Sequence, residues 1–477
     1  MHRVAHRTHK PLLREDIVSR LNLSALGPVL QPVIEETLEK TGKAKYRKGT
    51  ILTPLLTVYV LLALAIRRDL SYPAAMDWLI SGLRWITCCL PKKLMADGAL
   101  SHARKRLGID VFRQIFERLC PSADALPKDF HGHTSVAFDG SSITMPDTAS
   151  NQGRFGRPKG GRGKGGFPQL RLMALLILPL RTVADIAYGP FEGKGSGERS
   201  LMMEIMDRIS ASCLLFLVDA GLYSFDFLQF AQQHGHDVLA KLSASVKPKP
   251  IRGRRFADGS YLAVIRKKVE DTERSTAKRK AWTTIEIVVR IIDYQIPGFL
   301  PARLITTILD PEITAKELAI HYHLRWDIEI AFDEIKTHQC ATLRGQAPTV
   351  LRSKTAELVE QELYAVLIVY NCVRDLIAQA AGDHQSDPTR ISFLDSLHCI
   401  VEAIPKIGAS DVERAQTQFC YLINLIAECE IDRPRRPRVN PRVIKVKMSK
   451  FERKKDYHKS SYRELENDLQ ILNQQAA

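Results

Sequence analysis

Residues 322–336 read Tyr322-His-Leu-Arg325-Trp-Asp-Ile-Glu329-Ile-Ala-Phe-Asp-Glu-Ile-Lys336. Apolar residues recur every three or four positions, which predicts a helix, and the pattern extends it over residues 315–337. At about 100° per residue, Tyr322, Arg325, Glu329 and Lys336 fall near 0°, 300°, 340° and 320°, one stripe roughly 60° wide. Leu324, Ile328, Ala331 and Ile335 fall on the opposite side, facing a core. One carboxylate is therefore flanked by a phenol, a guanidinium and an ammonium. Arginine forks onto phosphate oxygens, lysine neutralises one, and tyrosine donates a hydrogen bond. Ordinary ion pairing on an exposed helix explains Arg325 and Glu329 but not the tyrosine.

Upstream, two more acids close short apolar runs. Thr134–Asp139 stops at the turn signal Asp139-Gly140, and Cys213–Val218 ends at Asp219-Ala-Gly221. Both runs read as strands, and the C-terminal edge of strands in an α/β sheet is where ligands are presented. Three hard carboxylates, Asp139, Asp219 and Glu329, can hold two Mg²⁺ ions and leave positions open for phosphate and water. Asp-Gly turns are common and helical glutamates are usually solvated, so the acids alone are a weak pattern; the helix around Glu329 strengthens it.

The charge balance points the same way. Among 477 residues, 69 Lys+Arg stand against 53 Asp+Glu, a net charge of +16, which favours a polyanionic partner, nucleic acid before membrane. A hydrophobic content of 45% excludes a largely disordered chain. Nine cysteines without a C-x-x-C pair read as reduced thiols in a cytoplasmic protein. The first 14 residues are basic with no apolar core, unlike a secretory signal, and the apolar stretch 51–66 is short for a membrane span. No Gly-Lys-Ser/Thr loop is present for a nucleotide, and His321 and His323 cannot share a helical face for zinc.

Helical spacing at 16–23, 29–40, 55–68, 74–83 and 99–119 makes residues 1–125 an all-α N-terminal domain, expected to bind DNA through its basic residues or to present them as a solvated face. In it, Ser101–Leu107 puts three basic residues, Arg104 among them, on one turn. Residues 126–239 alternate strands and helices, and their glycine-rich loop 151–166 carries Arg157, Lys159 and Arg162, suited either to tracking a DNA backbone or to a flexible linker with solvated charges. A basic β-rich insertion at 240–312 contains one tryptophan, Trp282. Residues 313–382 return to the core with the Glu329 helix, and 383–477 form a helical region with a basic tail.

The spacing Tyr322-x2-Arg325-x3-Glu329-x6-Lys336 resembles the signature of cut-and-paste DDE transposases of the IS-four insertion-sequence family. Asp139-Gly140-Ser141 and Asp219-Ala-Gly-Leu-Tyr223 are similar to its two aspartate motifs, and Gly197-Glu198 to its Gly-Glu before a helix. The segment Ala99–Arg104 resembles the end of its N-terminal helical domain, and Pro441–Lys445 its basic C-terminal stretch. The resemblance implies an RNase H-like catalytic core interrupted by a β-rich insertion, with Asp139, Asp219 and Glu329 as ligands of two Mg²⁺ ions, for which Mn²⁺ can substitute. It implies that Tyr322, Arg325 and Lys336 grip phosphates at the transposon end, and that Trp282 either packs or stacks on a flipped base. Hydrolysis at the terminal inverted repeats would free a 3′-hydroxyl that joins target DNA.

Expected partners are therefore the terminal repeats and target DNA, with a dimer on DNA in a prokaryotic cytoplasm and no membrane. Two rival readings are a catalytically silent repressor of the element and a stand-alone Mg²⁺-dependent nuclease; the presence of all three acids counts against the repressor.

Overall fold

In the computed structural model the described residues are 23–48, 50–86, 98–160, 163–164, 166–193, 195–243, 246, 248–270, 281–297, 299–340, 350–431, 438–439, 461–462 and 465–472. The expected helix 16–23, the Cys88–Cys89 pair, Arg162 and the basic tail after residue 432 lie wholly or largely outside them.

The chain opens with helices α1 (Leu30–Lys40), α2 (Pro54–Ile66), α3 (Tyr72–Leu79), α4 (Ser81–Ile86), α5 (Ala99–Leu107) and α6 (Ile109–Leu119). Thr53 starts α2 by accepting from the Leu56 amide, with Pro54 in the first turn, where its missing N–H costs nothing. Every residue from Leu56 to Ile66 is buried, as an all-round apolar helix requires. The single helix expected over 99–119 is two. Gly108 adopts φ +76, a left-handed conformation open to glycine, and its N–H closes α5 on the Arg104 carbonyl at 3.2 Å.

Next come β1 (Thr134–Thr144), α7 (Ala149–Phe155), the short ribbon β2 (Lys159–Gly160) and β3 (Gly163–Lys164), β4 (Gln169–Ile177), β5 (Thr182–Pro190) and α8 (Glu198–Met206). They are followed by β6 (Leu214–Val218), α9 (Phe225–Gln233), β7 (Asp237–Lys241), β8 (Lys249–Arg255), β9 (Tyr261–Glu270), β10 (Trp282–Gln295) and β11 (Ala302–Thr306). The expected continuous helix over 315–337 is broken into four pieces. These are α10 (Ala315–Tyr322), a 3₁₀ turn His323–Trp326, α11 (Asp327–Asp333) and a π segment Glu334–Gln339. A uniform 100° wheel therefore does not hold across it. The helices α12 (Ala356–Asp383), α13 (Phe393–Ile407) and α14 (Val412–Glu428) complete the main elements.

Two compact units emerge, each continuous in space but not in sequence. The first comprises Met1–Pro127, Asp139–Ser210 and Asp327–Glu430. Its axis is α12, with 20 of 28 residues buried against α2, α6, α13 and α14. That helix is long and apolar enough to cross a membrane, yet 83% of its most apolar stretch is buried inside the protein, as a core helix is. Antiparallel β4 and β5 lie under α8, with β4 beside β1.

The second unit comprises Lys128–Phe138, Ala211–Trp326 and Ile431–Ala477. The start of β1 pairs parallel with β6 (Thr134 opposite Leu214), and β6 pairs parallel with β7. The buried five-residue run Leu214–Val218 fits a strand covered on both faces. From β7 the order continues antiparallel through β11, β10, β9 and β8, giving a mixed sheet. The β9–β10 pairing runs from Tyr261/Ile291 to Glu270/Trp282, with the Trp282 end mostly exposed and the other buried.

Candidate active site

Strand β1 does not stop at Asp139 as its sequence predicts; it continues to Thr144. Gly140 is inside the strand because a Cβ there would lie 2.9 Å from the Glu198 side chain at the start of α8. The Gly140 amide donates to Asp139 Oδ1 at 2.8 Å, which orients the carboxylate. Asp139, Ser141, Glu329, Asp333 and Lys336 line one cleft of about 660 Å³ in the first unit, closed on its apolar side by Phe332 and Cys340. Lys336 Nζ donates to Ser141 Oγ at 2.8 Å. Burial pulls the Lys336 ammonium below the ordinary lysine range, against the opposing pull of Asp139 and Asp333. So Asp139, Glu329 and Lys336, nearly 200 residues apart in sequence, share a wall. Ser141 and Glu198 had no assigned role in the sequence reading, because only the continued strand and the neighbouring helix bring them to Asp139.

Asp219, Tyr322 and Arg325 belong to the second unit. Asp219 follows β6, and its Oδ1 accepts from the amides of Gly221 and Leu222 at 2.9 and 3.0 Å, so the Asp-Ala-Gly turn fixes the carboxylate. The Tyr322 hydroxyl donates to the Val218 carbonyl at 3.2 Å, one residue before Asp219. Burial raises the Tyr322 phenol well above its usual range and keeps it neutral. Arg325 is buried too, with its guanidinium 5.4 Å from the centre of the Trp326 ring. His323 between them is pushed down to about 4 by burial, with Lys241 and Arg325 adding to the effect. Among the described residues, no group of three or more His, Cys, Asp or Glu stands ready to hold a metal ion.

The remaining candidates separate clearly. Arg104 is 1% exposed and is not a surface cation. Its guanidinium donates to Leu358 O at 2.7 Å, Tyr72 Oη at 3.1 Å, Ser353 Oγ at 3.2 Å and Gln361 Oε1 at 3.4 Å. The expectation that it contacts DNA is overturned: the turn faces inward at this residue and leaves Lys105 and Arg106 exposed. Arg157 is bonded to Gly166 O at 3.1 Å and paired with Asp147, which stiffens the base of the glycine-rich loop. Lys159 lies in the β2–β3 ribbon, opposite Lys164. Trp282 is 59% exposed at the outer end of β10, so packing in a core is not its role.

The arrangement has relatives. Residues 131–372, slightly more than half of the chain, match the family described as Transposase DDE domain, and the chain belongs to it. Residues 20–117 match Insertion element 4 transposase N-terminal, so the protein is a DDE transposase of the insertion-element-4 kind, an enzyme acting on DNA. A curated relative is Transposase InsG for insertion sequence element IS4 of Escherichia coli (strain K12), 26% identical over 456 residues, covering 91% of this chain and 96% of that one. Among solved structures, a cryo-EM structure of a piggyBac transposase synaptic complex with hairpin DNA covers 86% of this chain and 85% of its own, at 10% identity and a TM-score of 0.39. That likeness is too loose to bear on fold or mechanism.

Proposed function

We propose that this transposase binds the terminal inverted repeats of an insertion sequence, hydrolyses the phosphodiester at each end, and joins the freed 3′-hydroxyls to target DNA. The observation that carries the reading is the shared cleft of Asp139, Glu329 and Lys336: two hard anions and a cation at the edge of one space large enough for a phosphate. In this reading the core is RNase H-like, and Asp219 is the third carboxylate, held by its Asp-Ala-Gly turn.

The donor chemistry suits divalent metal: carboxylate oxygens with no thiolate or imidazole among the assigned ligands. Two Mg²⁺ ions, or Mn²⁺ in their place, would supply Lewis-acid activation of water and of the 3′-hydroxyl, and neutralise phosphate charge. Asp139, Asp219 and Glu329 would hold them. Lys336, kept in place by Ser141, places a positive charge at the cleft wall against the pentavalent phosphate. Arg325 and Tyr322 position the DNA end, and Tyr322 stays a neutral donor, not a nucleophile. In this reading Trp282, exposed at the end of β10, stacks on a base flipped from the duplex.

End binding falls to the N-terminal helices. Lys43, Lys45, Arg47 and Arg106, with exposed Tyr46, line a second cleft of about 600 Å³ at the N-terminal turn of α2, and among the described residues no acid lines it. Cations around a helix N-terminus suit a phosphate backbone. Pairing two ends makes a dimer on DNA the working assembly, in the cytoplasm of a prokaryote.

A gel assay with purified protein, terminal-repeat DNA and Mg²⁺ tests the reading. Asp139→Ala, Asp219→Ala and Glu329→Ala should each keep end binding and lose cleavage. Normal cutting by Glu329→Ala would overturn the ligand assignment. End binding without nicking by the native protein would make it a repressor, and nicking without joining a nuclease.

A further inference from the structure

The element carrying Glu329 and Lys336 holds a second pair of ionisable residues with the same seven-residue spacing, Asp327 and Glu334. The two pairs are offset by two positions, and their burial shows that they face opposite ways. Glu329 and Lys336 line the cleft. Asp327 and Glu334 are 0% and 1% exposed, inside the first unit.

Each buried acid meets a buried arginine. Arg181 Nε donates to Asp327 Oδ2 at 3.2 Å, and Arg181 Nη1 stands 4.0 Å from Glu334 Oε1. Arg374 Nη2, on α12, donates to Glu334 Oε2. The Tyr370 hydroxyl bridges the two halves, 3.1 Å from Glu334 Oε2 and 2.9 Å from the Arg181 carbonyl oxygen. Two positive and two negative groups balance. Arg181 ends the β4–β5 turn at φ +52, a conformation that side chains other than glycine's rarely adopt. The turn thus holds a strained residue whose guanidinium reaches Asp327.

Such a quartet is a poor way to gain stability, because apolar groups of similar shape generally do as well or better. What it specifies is geometry. At Glu334 the chain passes from α to π winding, so local hydrogen bonding does not hold one register through the turn that carries Lys336. We propose that Arg181, Asp327, Glu334 and Arg374 are positioning residues that fix the rotation of 327–339 and thereby hold Glu329 and Lys336 at the cleft wall. This rests on the cleavage reading above for its effect on activity, and on geometry alone for its effect on the helix.

The test replaces the quartet by apolar residues in charge-balanced pairs, Arg181→Met with Asp327→Leu and, separately, Arg374→Met with Glu334→Leu, in the full chain. Two measurements are made: amide hydrogen exchange over residues 327–339, and cleavage of terminal-repeat DNA against Mg²⁺ concentration. Each pair should keep a cooperative melt and native end binding. Exchange over 327–339 should quicken, and cleavage should fall about 10- to 100-fold with a higher Mg²⁺ requirement, the scale of lost support behind a metal ligand. Native exchange together with native Mg²⁺ dependence would overturn the proposal. If the native protein itself does not cleave, the functional reading fails while the exchange comparison still decides the positioning role. Should a pair not fold, Tyr370→Phe removes only the bridging hydroxyl; it should quicken exchange over the same residues, and unchanged exchange would count against the quartet.

Discussion

Lys336 Nζ and Ser141 Oγ, 2.8 Å apart, tie the π turn beyond Glu329 to the strand two residues beyond Asp139. The bond spans 195 residues of sequence and joins two segments that line the cleft. Ser141→Ala removes the anchor but leaves the charge, whereas Lys336→Ala removes both. Cleavage by the serine variant should lose about 1.5–3 kcal/mol of transition-state stabilisation, the worth of a hydrogen bond to a charged group. The lysine variant should lose about 3–4 kcal/mol, the scale of removing an electrostatic donor from a transition state. Single-turnover rates with terminal-repeat DNA measure both, and a serine variant as slow as the lysine variant would contradict this ordering.

Gly140 has no room for a side chain. Gly140→Ala would drive a methyl to within 2.9 Å of three Glu198 side-chain atoms, and the expected cost is about 1–3 kcal/mol of overpacking. Adding Glu198→Ser should recover most of the lost melting temperature. No recovery in the double variant would show that Glu198 is not what constrains the strand.

The two arginines of α5 should behave oppositely. Arg104→Ala leaves a buried network around Gln361 and Glu362 short of a cation. Burial would raise the Glu362 carboxyl, but Arg68, Arg104 and Arg352 hold it at about 2. The loss should be about 3–5 kcal/mol of stability. Exposed Arg106→Ala should leave the melt unchanged and flatten the salt dependence of DNA binding by about one cation. Calorimetry and binding isotherms at several salt concentrations separate the two, and an Arg104 variant that melts normally would refute the buried role.

Stability should also respond to pH through His133 at the start of β1. Its Nε2 lies 2.9 Å from Asp237 Oδ2 and its Nδ1 lies 3.2 Å from the Phe130 carbonyl, so only the imidazolium satisfies both acceptors. The Asp237 bond, opposed by partial burial, raises this histidine above its usual value. A raised folded-state value means the contribution is complete below the unfolded value of about 6.5 and fades as pH climbs through the raised one. Melting temperature should therefore drop as pH rises above about 6.5, and His133→Gln should remove that part of the slope. A native slope in the glutamine variant would assign it elsewhere.

Local pattern was sufficient for much of this protein. Helix α2 and strand β6 fall within a few residues of their expected limits, 55–68 and 213–218, because apolar periodicity reports which face of a segment is buried. The Tyr-Arg-Glu-Lys spacing carried the family, since a motif is a property of covalent order. Local pattern did not reveal where the Glu329 helix would break, since the buried partners of Asp327 and Glu334, Arg181 and Arg374, stand 146 and 40 residues from them in sequence. Nor did it reveal that Arg104 turns inward while Arg106 stays exposed: adjacent basic residues on one helical turn look alike in sequence, and only the packing of α12 against them decides which is enclosed. The continuation of β1 past Asp139 had the same origin, for an Asp-Gly pair reads as a turn until a neighbouring helix brings Glu198 against the glycine. Amino-acid order determined the segments, the charge surplus and the signature; long-range burial of charged side chains decided which residues face the cleft, because ion pairs that far apart in sequence form only when the chain has closed around them.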